Sequence, residues 1–317
     1  MRSLNRTEAA AFFKERDHFA ILTHLRPDGD TLGSSAALCL GLRQLGKQAY
    51  IVENPEITEK YRFLHQNLTK PQPEDTDTLV CVDVAAENML PACHRDLVSR
   101  LSLRIDHHRS EEGFSSFQLV DPTAAACGDI IYDILMQLGV TLDEKIAQAI
   151  YIAISTDTGC FRYPNTNAHT LSTAAACYEA NGALAAMNQM LFDTNSLGRL
   201  RLQGWLVEHA QFYENGQFVI CALPKVVEEE LGLTEDDLEN ISGFPRSIEG
   251  VKVAATLREG SDGKTKISVR AVPGYNAAAI CQHFGGGGHA GAAGASLQMS
   301  LQDAAQEVLQ AINEETQ

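Results

Sequence analysis

The chain has 317 residues, with 25 Lys and Arg against 41 Asp and Glu, a formal charge of −16. Long nucleic acid is gripped mainly through phosphate neutralisation by a basic face, so this balance excludes long duplexes and long single strands as the main partner. Small phosphorylated ligands stay open, provided metal ions and a few local cations neutralise them. At 44% hydrophobic and 21% charged residues the chain reads as an ordinary globular protein, and its length predicts two domains. None of the eight cysteines forms a C-x-x-C pair, and Cys81 sits in the apolar run Leu79-Val80-Cys81-Val82, as buried thiols in a reducing compartment do. The N-terminus has no signal-peptide pattern, and no run reaches the roughly 18 apolar residues that span a bilayer, so a cytoplasmic protein without a membrane partner is expected.

Residues 19–23 carry a short buried-strand pattern. Asp30 or Thr31 is placed to cap the helix that follows, which runs to about Leu45 and stops at Gly46. Strands at 48–53, 78–83 and 103–106 come next, then helical stretches at 126–138 and 142–155 with Gly139 as the stop between them. Strands alternating with helices predict a parallel, doubly wound α/β sheet covered by helices on both faces. In such sheets ligands bind beyond the carboxyl ends of the strands. After Asn181-Gly182 the texture changes. A helical stretch near 197–212 has few breakers, and 218–223, 251–258 and 264–272 alternate as strands. The last two read as a hairpin turning through Gly260-Ser261-Asp262-Gly263, and the tail from Leu301 is an amphipathic helix.

The chemistry lies in four clusters. His24-Leu25-Arg26-Pro27-Asp28-Gly29-Asp30 directly follows the first strand, and Pro27 and Gly29 let His24, Asp28 and Asp30 converge from one tight loop. Asp83 ends the strand through Leu79–Val82, and Asp106-His107-His108 ends another. Asp157, in Ser155-Thr156-Asp157-Thr158-Gly159, follows a long helical stretch. Carboxylates crowded together repel, so such a group needs a cation. Two histidines among oxygens suit a borderline divalent ion, Mn²⁺ above Mg²⁺ or Ca²⁺. Two such ions about 3.5–4 Å apart can clamp a phosphoryl group.

In this order, H-x-x-P-D-G-D, a lone Asp ending a strand, D-H-H and T-D-T-G, the set resembles the DHH phosphoesterase family. The resemblance continues into Gly285-Gly286-Gly287-Gly288-His289-Ala290-Gly291-Ala292-Ala293-Gly294, which looks like the glycine-rich signature of the associated DHHA1 domain. It therefore spans about residue 18 to the end of the chain. It implies a catalytic metal-binding domain over 1–190, a connecting helix over 191–213 and a smaller α/β substrate-binding domain over 214–317, with a cleft between the domains. His24, Asp28 and Asp83 would hold one metal, and Asp30, Asp83, His107 and Asp157 the other, with Asp83 bridging. Asp106 would fix a histidine tautomer from behind, and His108 would touch the scissile phosphate or its leaving oxygen. Gly286, Gly287 and Gly288 let backbone N–H groups approach an anion closely, and His289 and Arg270 would contact a terminal phosphate or base.

Taken singly, each feature has a plainer reading. Asp28 and Asp30 could be turn and N-cap residues, Asp106-His107-His108 a solvated strand end, the glycine run a flexible loop and Arg270 an outward strand residue. Arg162 could meet a phosphate or pair with the acidic surface. Arg109 and His169 receive no role, and the acids Glu228-Glu229-Glu230 with Glu235-Asp236-Asp237 read as a solvated face. Within the family, the length and layout look most like the branch that removes nucleotides from RNA of a few residues and dephosphorylates 3′-phosphoadenosine 5′-phosphate (pAp). The runner-up is a cyclic-di-AMP/pApA phosphodiesterase. A family-II pyrophosphatase lacks the glycine-His signature, and a RecJ-type exonuclease would be longer. A nucleotide sensor without turnover is disfavoured by the complete ligand set, and a tRNA-binding role by the charge. Assembly as a homodimer is left open.

Overall fold

The computed structural model describes residues 1–108, 113–181, 183–260 and 263–316, and the chain divides into two units, Met1–Thr194 and Asn195–Gln317. The first holds seven strands: β1 (Arg2–Ser3), β2 (Phe19–Leu22), β3 (Ala49–Val52), β4 (Thr69–Lys70), β5 (Thr78–Val82), β6 (Leu101–Asp106) and β7 (Phe117–Val120). They lie in the order β1-β7-β6-β5-β2-β3-β4, with every pairing parallel. The chain leaves β2 for β3 on one side and returns to β5 on the other, so the strand order reverses between β2 and β5, where doubly wound sheets open a crevice.

Strand alternation sorts the core. Phe19, Ile21, Val80, Val82, Leu103 and Ile105 face a cluster built with α1 (Arg6–Glu15), α2 (Gly29–Gln44), α3 (Cys127–Gln137), α4 (Glu144–Asp157), α5 (Ala168–Ala180) and α6 (Leu184–Asn188). Ala20, Leu22, Leu79, Cys81 and Leu101 face a smaller cluster. Its cover, Leu90 and Leu97, comes from the loop after Glu87–Met89 and the 3₁₀ segment Ala92–Arg100, so helices on both faces were too regular an expectation. The cap of α2 also differs. Asp28, not Asp30 or Thr31, is the N-cap, and its carboxylate accepts the N–H groups of Asp30 and Thr31 at 3.0 and 3.3 Å. Two glycines seat α2 on α4. A Cβ at Gly33 would stand 2.4 Å from the Ala149 carbonyl oxygen, and one at Gly29 2.4 Å from the Thr156 hydroxyl.

In the second unit, β8 (Gln211–Tyr213), β9 (Phe218–Leu223), β10 (Val253–Glu259), β11 (Thr265–Ala271), β12 (Gly287–His289) and β13 (Ala292–Leu297) form a sheet ordered β12-β13-β11-β10-β9-β8. Only β9 and β10 are parallel. The expected connecting segment falls on both sides of the division. Its helix, α7 (Leu197–Glu208), packs Leu202 and Leu206 against Val219, Cys221 and Leu223 of β9. The other face of the sheet is covered by α8 (Ala277–Gln282) and α9 (Leu301–Thr316), the latter through Ala304, Val308, Ala311 and Ile312. β10 and β11 pair antiparallel as a hairpin should, while Ser261 and Asp262 of its turn, like Arg109 and Gly182, lie outside the described residues.

The acidic run is not a solvated face throughout. Glu228 is 3% exposed and takes Arg258 and Lys225 at 2.9 Å each, while Asp237 is buried against Ser196 and Thr234. Burial selects those acids that find a cation or hydroxyl partner and leaves the rest outside. No helix among the described residues is long and apolar enough to cross a membrane.

Candidate metal centre

The first unit brings its acidic and histidine motifs together around the point where the strand order reverses. His24 and Asp28 come from the loop after β2, Asp30 from the first turn of α2, Asp83 from the end of β5, His107 from the end of β6 and Asp157 from the last residue of α4. His24 Nε2 lies 3.6 Å from both Asp28 Oδ1 and Asp83 Oδ2. His107 Nε2 lies 3.7 Å from Asp30 Oδ2, 3.6 Å from Asp83 Oδ1 and 3.7 Å from Asp157 Oδ2. These gaps are too long for hydrogen bonds, but donors held at about 2.0–2.2 Å from one divalent ion stand roughly this far apart. Three overlapping groups follow, His24–Asp28–Asp83, Asp30–His107–Asp157 and Asp83–His107–His108, with Asp83 facing His24 through one oxygen and His107 through the other.

Local folding explains why these side chains converge. Asp83 has a left-handed backbone, φ +58°, uncommon outside glycine, held by its N–H donating to the Ile105 carbonyl at 2.8 Å. The Thr31 hydroxyl donates to the Val82 carbonyl at 2.9 Å and ties α2 to the end of β5. Asp30 accepts the Cys127 and Gly128 N–H groups at 2.7 and 2.9 Å, so it caps α3 while its Oδ2 faces His107. The His24 Nδ1–H donates to the Leu25 carbonyl at 2.7 Å, which turns Nε2 toward the Asp28 and Asp83 carboxylates.

Behind them stands Asp106, fully buried. Its Oδ1 accepts the His107 and His108 N–H groups at 2.8 and 3.1 Å and the His108 Nδ1–H at 2.9 Å, while Oδ2 pairs with the buried Arg104 guanidinium. The ring it orients is that of His108, held through Nδ1. Asp106 is held far below the usual carboxylate range, because its His108 and Arg104 partners outweigh burial.

Electrostatic frustration fills the centre. Burial, then the carboxylates of Asp83, Asp157 and Asp28, push Asp30 well above its normal range. Burial lifts Asp157 to about 7, with Asp28 and Asp83 adding to the shift and His107 opposing it. As the last residue of α4, Asp157 also sits where the helix dipole disfavours an anion. Burial works against a charged His108, yet Asp106, Asp83 and Asp157 raise it to about 9. His107 Nε2 and Asp83 Oδ1 are buried with no hydrogen-bond partner among the described residues. Each such atom costs about 1–3 kcal/mol, and a cation between them removes both costs. The donor set therefore fits a divalent metal pair.

The candidates in the second unit meet differently. Arg270 pairs with Ala292 across β11 and β13, and His289 pairs with the same Ala292 across β12 and β13. Arg270, Ala292 and His289 thus form one cross-strand row on a single face of the sheet, with a methyl group between the two polar side chains. The next row is Ser268, Gly294 and Gly287. The glycine run, expected as a loop, ends as an edge strand. A Cβ at Gly286 would lie 2.2 Å from the Gly294 carbonyl oxygen, and Gly288 has φ +144°, so close strand packing demands glycine there as much as any ligand would. Arg162 is exposed and forms no ion pair among the described residues; its Nε donates to the Gly159 carbonyl at 2.6 Å. Sequence reasoning missed Asn165, whose amide reaches Asp157 Oδ2 at 3.4 Å and the Asp157 and Ala125 carbonyls at 3.1 and 2.9 Å. A lone Asn eight residues past an Asp carries no signal of that contact.

Both parts of the chain match known families. Residues 18–154 match the model of the DHH family N-terminal domain and residues 215–317 that of the DHHA1 domain. A bifunctional oligoribonuclease and PAP phosphatase of Thermus thermophilus is 34% identical over 93% of this chain and 89% of its own. A cyclic-di-AMP phosphodiesterase of Listeria monocytogenes is 24% identical over 94% of this chain but only 48% of its own length. Among solved structures, an exopolyphosphatase-related protein of Bacteroides fragilis shares the fold, with a TM-score of 0.83 at 22% identity, covering 98% of this chain and 96% of the other.

Proposed function

The chain belongs to the DHH family, with a DHHA1 domain behind its DHH domain, and from that premise we propose that it is a Mn²⁺-dependent hydrolase of phosphate esters in RNA of a few residues and in pAp. The observation that carries the reading is the pair of buried, unpartnered atoms, His107 Nε2 and Asp83 Oδ1, within a set of imidazoles and carboxylates that spans three overlapping donor groups. His24, Asp28 and Asp83 would hold one ion, and Asp30, Asp83, His107 and Asp157 the other. Bound there, a metal pair neutralises phosphoryl charge and activates water for in-line attack.

The chain's own residues do the rest. Asp106 orients the His108 ring through Nδ1, so that Nε2 would be the atom to meet the scissile phosphate or its leaving oxygen. The buried Asp106 carboxylate on Nδ1 favours the charged form of that imidazole, which suits an anionic substrate or protonation of a leaving alkoxide. Arg270 and His289 would contact a terminal phosphate or base, and the row of Ser268, Gly294 and Gly287 offers a flat floor beside them. Support for the substrate comes from the Thermus relative, similar over nearly the whole of both chains, whereas the cyclic-di-AMP enzyme is about twice as long.

The test is turnover with Mn²⁺ on pAp, RNA of two to five residues, pApA and cyclic di-AMP, with EDTA as control. Fast metal-dependent cleavage of pAp and short RNA, with little of the cyclic compound, is expected. Preference for cyclic di-AMP would transfer the same chemistry to second-messenger turnover. No turnover of any substrate would leave a nucleotide-binding sensor.

A further inference from the structure

The loop between two of the metal-donor residues carries a cation that the centre itself does not use. Arg26 lies midway between His24 and Asp28. Two virtual bonds of 3.8 Å separate its Cα from either, so it sits within about 7.6 Å of both. The loop is pinned rather than loose. The Leu25 N–H donates to the Met89 carbonyl at 2.7 Å, and the Arg26 N–H to Glu56 Oε2 at 3.1 Å. The Asn54 amide holds the His24 carbonyl at 2.8 Å, and its oxygen accepts the Glu56 N–H at 3.0 Å. Arg26 itself has φ +47°, in front of Pro27, a conformation that a β-carbon and a following proline both resist. Its side chain is exposed and enters no hydrogen bond or ion pair among the described residues, although Glu56 binds the backbone of the same residue. Arg162, by contrast, is tied to the Gly159 carbonyl.

Charge gives this arrangement a purpose. The chain carries −16 overall and gathers Asp28, Asp30, Asp83, Asp106 and Asp157 in one place. Metals can neutralise the phosphate being cleaved, but a second phosphate on a small substrate meets the same acidic field without them. A guanidinium answers that need, because it stays charged at any working pH and binds phosphate through two parallel N–H groups. We propose that Arg26 forms a subsite for the non-scissile phosphomonoester of the substrate, so that the centre selects small nucleotides carrying a second phosphate. This rests on the hydrolase reading above and adds to it a determinant of substrate choice.

The test compares pAp with adenosine 3′-monophosphate, which presents the same ester without the 5′-phosphate. Hydrolysis of pAp consumes water and releases inorganic phosphate and AMP, which keeps the 5′-phosphate and so reports the subsite as a product inhibitor. In Arg26→Gln the ratio of kcat/KM for pAp over the monophosphate should fall about tenfold to a hundredfold, and the Ki of AMP should rise by a similar factor while that of adenosine does not. Arg26→Lys should recover part of both effects, as a point charge without the fork. Equal fractional losses on both substrates, or an unchanged ratio, would overturn the subsite and leave the hydrolase reading intact. A wild type that hydrolyses neither substrate removes the hydrolase reading, and the subsite with it.

Discussion

The two units of this chain arrange their charged side chains by opposite electrostatics. The first buries carboxylates against one another, holds Asp83 at φ +58° and leaves His107 Nε2 and Asp83 Oδ1 without partners. The second sets one guanidinium and one imidazole in a row across small residues on one sheet face. The difference teaches where affinity for a metal resides. It is repulsion built into the fold, which a divalent cation relieves by replacing protons. Metal dependence should therefore belong to the first unit and substrate choice to be shared with the second, and each prediction below tests one side of that division.

The largest effect is expected at the bridge. Asp83→Ala should lower turnover on every substrate by on the order of a thousandfold or more, because both proposed ion sites lose the carboxylate they share. It should also abolish the stabilisation that metal gives the wild type, which at a hundredfold excess over Kd is about 2.7 kcal/mol. Calorimetry with Mn²⁺ and with EDTA checks this. In EDTA the variant should melt close to the wild type, since it loses repulsion from Asp30 and Asp157 together with attraction to His24 and His108. Near-wild-type turnover in the variant would falsify the site assignment.

Much of the centre was legible in the residues because its chemistry is local. A histidine or aspartate just past a short apolar run lies at a strand's carboxyl end whatever the rest of the fold does, and that rule placed His24, Asp83 and His107. Asp30 was legible as a site residue but not in its second role. Its hydrogen bonds go to Cys127 and Gly128, some 97 and 98 positions away, and no local pattern encodes such a contact. The strand Phe117–Val120 and the first helix, Arg6–Glu15, went unread, the strand being only four residues with a single buried side chain. The glycine run was misjudged for a related reason. Four glycines carry no alternation, so only the partner strand reveals that they are paired.

A smaller effect separates the buried histidines of the first unit. His24 keeps its proton because Asp28 and Asp83 outweigh burial, whereas His65, bonded to Ser35 and the Leu32 carbonyl, is depressed by burial from 6.5 to about 4. Between those values the unfolded chain binds a proton that the folded chain refuses. Stability from this group is then full above about pH 6.5 and is lost as pH falls towards 4, a span worth about 3 kcal/mol. His65→Gln should flatten the stability–pH curve in that window relative to wild type, measured by denaturant titration in EDTA so that metal release does not intrude. A difference between the two proteins that is constant with pH would show that His65 titrates normally in the fold.

The smallest predicted effect bears on the second unit, and it is the most informative about substrate choice. His289→Ala removes one polar end of the Arg270–Ala292–His289 row without touching any metal donor. The loss of one hydrogen bond to a charged group predicts a rise in KM of about tenfold or somewhat more for pAp and short RNA. A generic aryl phosphodiester, which has neither base nor terminal phosphate to engage the row, should lose much less. Unlike Asp83→Ala, the variant should keep the metal-dependent shift in melting temperature in full. Equal losses on nucleotide and aryl substrates would instead mean that His289 supports the edge strand, whose glycines already pack against β13 as tightly as backbone allows. The electrostatic division between the units would then lie in Arg270 alone.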